Sequence, residues 1–363
     1  MLKLFQGLFS GVGKNIKGSY LSVDIGTVAI KIVEIGAREG KISVTNYGII
    51  ESSDYLERVN GVIQTSSLGI ADSDAVRMLK VLVSQMGTKT KEVVATIPSF
   101  TVFASSLDLP VMSAEEAAQA IPWQARSLIP LPMSAITIDW MPIGQFNDRS
   151  GAKMQKIFMI AIPNEQINAH RSIYKKAGLH LKILEVEGLS LARALTRGTQ
   201  EDVLILDIGA FTSTIAVAGQ GLLKYLSHTD FASNSLTQSL AKGLGISPKR
   251  AEMLKKQKGL TGMTGEYGLS TIMMPFIDAI LNEASKAKNI FEKGGGKISK
   301  IILSGGGGCM GGLTDYVDRQ LSIPTERANP WETVSYLPQF TPLFQFVAPR
   351  LTIAVGAGIK RFI

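Results

Sequence analysis

"LSVDIGTVAIKIVEIGAREG" spans residues 21–40 and "LILDIGAFTSTIAVAGQG" spans residues 204–221. Each is an apolar run that ends in Asp-Ile-Gly, passes through small or hydroxyl residues and enters a second apolar run. β-Branched residues on both sides of a glycine turn predict a strand, a tight hairpin and a second strand. The two turns lie about 180 residues apart, close to half of the 363-residue chain. That period is far too long for a stacked array of repeats. It predicts two similar halves, each opening with a carboxylate-tipped hairpin, that face one ligand across a cleft.

Size and composition agree with two lobes. A chain of this length exceeds one ordinary hydrophobic core. Apolar residues make up 45% and charged residues 19%, the balance of a packed globular protein. The continuous apolar runs are strand-sized, well short of the ~20 residues that cross a bilayer. One cysteine, Cys309, excludes an intramolecular disulfide and fits a reducing compartment. With three histidines beside it, a dedicated zinc site is not expected. The net charge of +8 collects in "KRAEMLKKQK" at 249–258 and "KAKNIFEKGGGKISK" at 286–300. The two runs hold a single aromatic residue, Phe291, too few for a stacking platform, so no nucleic-acid partner is expected. A solvated helix face or attraction to an anionic leaflet accounts for the charge. At the N-terminus, Met1, Leu4, Phe5, Leu8 and Phe9 fit one helical face. A basic tail and a weak membrane-surface helix both remain open readings.

Residues 21–25, 30–35 and 41–50 read as three strands, Asp74–Met86 as a helix and "EVVATIP" as a strand stopped by Pro98. Residues 99–156 change character, with prolines at 110, 122, 130, 132 and 142 and a capping box of Ser113 and Glu116. They predict an inserted subdomain with its own helix and strand pair. A helix to Ala177, a strand "LKILEVEG" and a helix ending at Gly198 follow. The expected plan is a basic tail (1–18), a first lobe in two parts (19–98 and 157–200) around the insertion, a second lobe (201–348) and a C-terminal segment (349–363) returning to the first lobe.

The chemistry of the two tips points to a polyphosphate. Gly26 and Gly209 let backbone amides approach an anion, and Thr27, Thr212 and Ser213 add hydroxyl donors. Aspartates beside phosphate need a cation between, and hard oxygen donors select magnesium, which keeps its waters. Asp24 and Asp207 are therefore the candidate metal-shell residues, holding the ion through water, and Lys31 is the candidate phosphate cation. In "LSGGGGCMGG", residues 303–312, Gly305, Gly306 and Gly307 read as a loop without side-chain bulk, bordered by Met310, against which a base or ribose would lie. No Gly-Lys-Ser/Thr follows, so this is not the lysine-bearing phosphate loop.

Together these residues resemble the actin-like ATPase superfamily, which includes actin, sugar kinases, heat-shock chaperones and the division protein FtsA. "DIGTVAIK" is similar to its first phosphate motif, "DIGAFTS" to the second and "LSGGGGCMGG" to the adenosine motif. "LEVEGLSLARAL" and "LTIAVGAGI" resemble the two connecting segments. "AEMLKKQKG" resembles the FtsA-type helix, which implies that Glu252 and Lys255 approach ribose and adenine. The insertion, "IPSFTVFASSLDLP…EEAAQAIPWQARSLIPLP…ITIDW", with "KKAGLHLKILEVEG" and "NPWETV", resembles the PilM family of type IV pilus assembly. The resemblance implies an α/β, two-lobed actin-like fold with an FtsA-type inserted subdomain, binding ATP and Mg2+.

It also implies a cytoplasmic scaffold, peripheral to the inner membrane. Such a scaffold holds the N-terminal cytoplasmic peptide of a PilN-like membrane protein and links it to the pilus motor ATPase and other inner-membrane components. The peptide groove is expected between the first lobe and the insertion. Trp123, Ile129 and Leu131 are its candidate lining, with packing inside the insertion the competing role for Trp123. Two departures stand out. Ala210 and Phe211 replace glycines of the second phosphate motif, and Phe211 either crowds the phosphate or turns into the lobe. Gly188 replaces the proline expected after Glu187, the candidate water-orienting residue. Binding with at most weak hydrolysis is the expectation. An FtsA-like division protein and a small-metabolite kinase of the same superfamily are the rivals.

Overall fold

A computed structural model describes residues 18–38, 40–52, 70–260 and 267–362 of the chain. The candidate N-terminal helix at residues 1–17 lies outside the described residues. The first lobe opens with β1 (Tyr20–Ile25), β2 (Ala29–Arg38) and β3 (Lys41–Glu51), then α1 (Asp72–Met86) and β4 (Glu92–Ile97). The chain leaves for an inserted subdomain of β5 (Phe103–Pro110), α2 (Ala114–Ala125), β6 (Ile136–Asn147) and β7 (Lys153–Pro163). It returns through α3 (Asn164–Lys176), β8 (His180–Val186) and α4 (Glu187–Thr196). The second lobe contains β9 (Asp202–Ile208), β10 (Ser213–Gly219), β11 (Leu222–Thr229), α5 (Ser233–Leu244), α6 (Pro248–Lys258) and α7 (Tyr267–Lys293). It continues with β12 (Ile298–Ser304), α8 (Gly305–Gly308), α9 (Leu313–Leu321) and β13 (Thr325–Arg327), and the chain ends with β14 (Ser335–Tyr336) and α10 (Thr341–Ile359).

The two halves share one sheet plan. The first sheet runs β14-β3-β2-β1-β4-β8 and the second β11-β10-β9-β12-β13. In each, an antiparallel three-strand meander meets two parallel strands beside its first strand. Every residue of β1 is buried, as is β9 after its first residue. Cover on both faces is why these strands read as unbroken apolar runs rather than as alternating ones.

α4 and α10 lie between the sheets and form a spine shared by both lobes. Leu189, Leu191, Ala192 and Ile353 belong to one buried cluster with first-lobe Val23 and Ile32 and second-lobe Val203, Ile205 and Ile302. The helices touch where Gly356 meets the Ser190 carbonyl, and a Cβ at Gly356 would overlap that oxygen. Nearby, Arg193 grips Glu185 through two bonds, Nη1 to Oε1 at 2.6 Å and Nη2 to Oε2 at 2.9 Å, and donates to the Gly356 carbonyl at 2.7 Å. The Ser190 hydroxyl donates to Glu185 at 2.6 Å. This ion pair is almost fully buried, so its desolvation cost is offset only because each partner is held by several bonds.

Three expectations shift. The chain rejoins the first sheet at Ser335, where β14 pairs in parallel with β3, rather than at residue 349. A two-residue strand carries no periodicity to read. The insertion's sheet, ordered β5-β7-β6, keeps β7 paired past residue 156, as far as Pro163 opposite Ile136. Finally, residues Pro338–Phe362 form a 25-residue helical stretch long and apolar enough to cross a membrane, which the short apolar runs did not suggest. In the fold 67% of its most apolar window is buried, the behaviour of a core helix. The predicted capping box is present: Ser113 Oγ accepts from Glu116 N–H at 3.2 Å, and Glu116 Oε2 from Ser113 N–H at 2.8 Å.

Candidate functional site

The hairpin tips of the two lobes face a common cavity of about 340 Å³. Both turns are closed by the same bond, Gly26 N–H to the Ala29 carbonyl at 2.9 Å and Gly209 N–H to the Thr212 carbonyl at 3.0 Å. A Cβ on Gly209 would stand 2.7 Å from the Thr212 oxygen, so this turn requires glycine. Of the residues expected from sequence, Gly26, Thr27, Lys31, Glu187, Asp207, Gly209, Thr212, Glu252, Lys255, Gly305, Gly306, Gly307 and Met310 all line the cavity.

Two do not. Asp24 is fully buried behind Lys31, accepting from its Nζ at 2.7 Å and from the Thr96 hydroxyl at 3.2 Å. Its role in this structure is to hold the lysine rather than to face a metal. Ser213 points the other way and donates to the Phe231 carbonyl at 2.7 Å. The alternation of a strand explains this, since its neighbours Thr212 and Thr214 line the cavity instead. Thr214 was missed, although it stands directly opposite Asp207 as Lys31 stands opposite Asp24, a correspondence the hairpin echo contained. Phe346 and Arg350, the latter paired with Glu51 at the rim, were also missed because they arrive on distant α10. Phe211 is buried and absent from the cavity wall, whereas Ala210 lines it, so the aromatic ring turns into the lobe.

The glycine run is helical, not a loop. Gly305–Gly308 makes one turn on the end of β12, forced by a close approach to β9. Gly305 has φ +78°, and a Cβ there would lie 2.5 Å from the Ile208 carbonyl oxygen. Gly306 differs: nothing stands within 4 Å of its missing Cβ, which leaves open space at the cavity wall. Opposite, Lys255 Nζ is fully engaged by Ser233 O and Oγ, Thr237 Oγ1 and Glu252, at 2.6–2.8 Å. Burial pushes Glu252 upward, but Lys255 beside it outweighs this and holds the carboxyl below its usual range.

Electrostatics separate the acids. Burial, reinforced by the charges of Asp24 and Asp207, raises Glu187 well above the usual carboxyl range, while its Oε2 accepts Ser99 N–H at 3.0 Å. Burial works to lower Lys31, yet the Asp24 carboxylate outweighs it and keeps the lysine charged. Asp207 is pushed up to about 6 by burial, and its Oδ1 has no hydrogen-bond partner. A buried acceptor without a donor fits a hydrated cation seated beside it. Among the described residues no group of three or more His, Cys, Asp or Glu could hold a metal outright. A magnesium ion here would be held by its waters and by phosphate.

The sign of the pH dependence follows from Asp207. Its raised value makes the unliganded fold most stable with this group protonated, and that contribution is lost as pH rises through about 6. Cation binding needs the ionised form. Mg-ATP affinity is therefore expected to be level above pH 6 and to fall about tenfold per unit below it. Calorimetry in buffers of different ionisation enthalpy checks this through the proton released on binding. A flat profile down to pH 5, corrected for Mg-ATP's own ionisation, contradicts it.

The residues expected to line a peptide groove separate. Trp123 is 73% exposed on α2 rather than packed inside the insertion, Ile129 is buried in the insertion core and Leu131 packs against that core. At Gly188, a Cβ would meet Leu226 Cδ1 at 2.8 Å and Leu223 Cδ2 at 3.1 Å, so β11 occupies the space a proline ring would need.

Comparison with known proteins agrees with this geometry. The family "Type IV pilus assembly protein PilM" matches residues 22–362. The solved "PilM-PilN type IV pilus biogenesis complex" superposes with a TM-score of 0.77 at 19% identity, covering 94% of this chain and 98% of that one. The ethanolamine utilization protein EutJ from Carboxydothermus hydrogenoformans gives 0.56 at 17% identity over 95% and 90% of the two chains. MreB5 of Spiroplasma citri bound to AMPPNP gives 0.54 at 13% over 95% and 96%. These neighbours share the actin-like fold. The cell division protein FtsA of Escherichia coli K12 is 31% identical over 113 residues, 30% of this chain and only 27% of FtsA's length.

Proposed function

Since the chain belongs to the type IV pilus assembly protein PilM family, we propose that it is an ATP-binding scaffold of the pilus inner-membrane machinery. It holds the cytoplasmic N-terminal peptide of a PilN-like membrane protein. Through that peptide it associates peripherally with the inner membrane from the cytoplasmic side and links it to the motor ATPase and other pilus components. The observation that carries the nucleotide half is the cavity between two equivalent hairpins, with Lys31 on one wall and the unpartnered Oδ1 of Asp207 on the other. Magnesium, when bound with ATP, supplies the positive charge that lets phosphate approach Asp207. The chain's own residues do the rest. The Lys31 ammonium and the hydroxyls of Thr27 and Thr212 receive phosphate oxygens above the two glycine turns, and the Gly306 opening receives the nucleoside. Glu187, its Oε2 already held by the Ser99 amide, supports binding more than turnover.

The partner half rests on the family and on the exposed apolar residues of the insertion, Trp123, Leu128 and Val111. An extended peptide gains main-chain bonds from a sheet edge and specificity from apolar pockets. Titration with a synthetic N-terminal peptide of a PilN-like partner, with and without Mg-ATP, tests both halves. Trp123→Ala is expected to weaken the peptide about tenfold, as a desolvated aromatic anchor does. An unchanged affinity removes Trp123 from the groove, and no binding by the unmodified chain overturns the reading.

A further inference from the structure

Behind the nucleotide cleft lies a second cavity of about 370 Å³, between the inserted subdomain and the second lobe. Its walls come from β5 at Phe103–Ser105, from Leu128 and Ile129, and from β11 at Leu226–His228. β5 and β11 are each the outermost strand of their sheet. The partition between the two cavities is one short turn, Ser99–Thr101. Pro98 and Phe100 face the front cavity, and Ser99 and Val102 face the rear one. The turn is tied to itself, with Thr101 N–H and Oγ1 both bonded to the Pro98 carbonyl at 3.1 and 2.8 Å.

The turn is also tied to the cleft. Ile97 and Val186 are opposed at the ends of parallel β4 and β8, so the turn and Glu187 leave adjacent strand ends. Ser99 N–H donates to Glu187 Oε2 at 3.0 Å, and Glu187 itself lines the front cavity. The next residue, Gly188, is where Leu223 and Leu226 of β11 press on α4. First lobe, second lobe and the root of the insertion thus meet around Glu187 and Gly188. Glu187 lines the same cavity as Gly26 and Gly209, so a phosphate seated between those turns shares its space. Because the Ser99 hydroxyl is buried without a partner, the turn has no competing side-chain anchor there.

We propose that Glu187 is a positioning residue: through the Ser99 amide it transmits nucleotide occupancy to the root of the inserted subdomain and to the β5–β11 cavity. This inference rests on the nucleotide reading above and gives the site its regulation. The test deletes one bond and leaves the cleft lining untouched. Ser99 is the first residue of the turn, where proline's fixed φ is tolerated, so Ser99→Pro removes the donating N–H along with the unpartnered hydroxyl. Ser99→Ala keeps that N–H and is the conservative control.

In the unmodified chain and in S99A, saturating Mg-ATP is expected to slow hydrogen exchange at residues 102–106 and 226–229 by about fivefold or more. S99P is expected to bind Mg-ATP as the unmodified chain does, with that response reduced to less than about twofold. Independently of any variant, the Ser99 amide resonance is expected to shift on Mg-ATP addition. A full response in S99P, no response in a chain that binds Mg-ATP, or an unmoved Ser99 resonance overturns the coupling alone. Failure of the unmodified chain to bind Mg-ATP overturns the nucleotide reading and the coupling with it.

Discussion

Asp207→Asn is expected to lower Mg-ATP affinity about 100-fold, the cost of losing a partner to a metal's hydration shell. Its Oδ1 is buried and accepts nothing from the protein, so its hydrogen-bonding capacity is free for a ligand. An asparagine has the same shape but no charge to set against the cation. The same substitution is expected to raise the melting temperature of the unliganded chain, by about 2–4 °C. The reason is that burial disfavours the ionised carboxyl, whose pKa is pushed up to about 6, and the amide carries no such penalty. Weaker binding together with a more stable fold marks a residue kept for its ligand. Fluorescent-nucleotide titration and thermal unfolding read the two effects. Unchanged affinity, or a fold weakened along with binding, would sink the assignment of Asp207.

Arg193→Met carries the second large effect, and it concerns the spine rather than the cleft. It leaves the buried Glu185 carboxylate with the Ser190 hydroxyl as its hydrogen-bond donor and the charge of nearby Lys360, and frees the Gly356 carbonyl. Removing one member of a buried pair typically costs about 3–5 kcal/mol. The denaturation midpoint should fall accordingly. Glu185→Leu combined with Arg193→Met should recover much of the loss, because the desolvation cost of both ions disappears together. If the single variant unfolds like the unmodified chain, the pair contributes nothing and the crossing is held by packing at Gly356 alone.

Much of this architecture was legible in the residues. Asp-Ile-Gly between β-branched runs forces a hairpin, and its recurrence forces two lobes. Ser113 and Glu116 announce a helix start because they satisfy each other's amides. What stayed hidden was decided by distant contacts. Four glycines have poor intrinsic helicity, and Gly305–Gly308 turns only because Ile208 crowds it. β14 exists because Ser335 and Tyr336 find β3 almost 300 residues away, with the Ser335 hydroxyl on the Ile42 carbonyl at 3.0 Å. Asp24 and Asp207 look interchangeable in the sequence. Their roles diverge through the residue across the hairpin, lysine in one case and threonine in the other.

That single difference gives the cleft an electrical polarity. The hairpin with lysine presents a paired acid and a cation, while its twin presents an acid with threonine across from it, reached only by the charge of Lys31 from the other lobe. A guest can satisfy both walls only if it is itself lopsided, anionic toward Lys31 and escorted by a cation toward Asp207. Orientation is then fixed by charge before shape is consulted, and a bare polyphosphate, stripped of its metal, would find one wall welcoming and the other repellent.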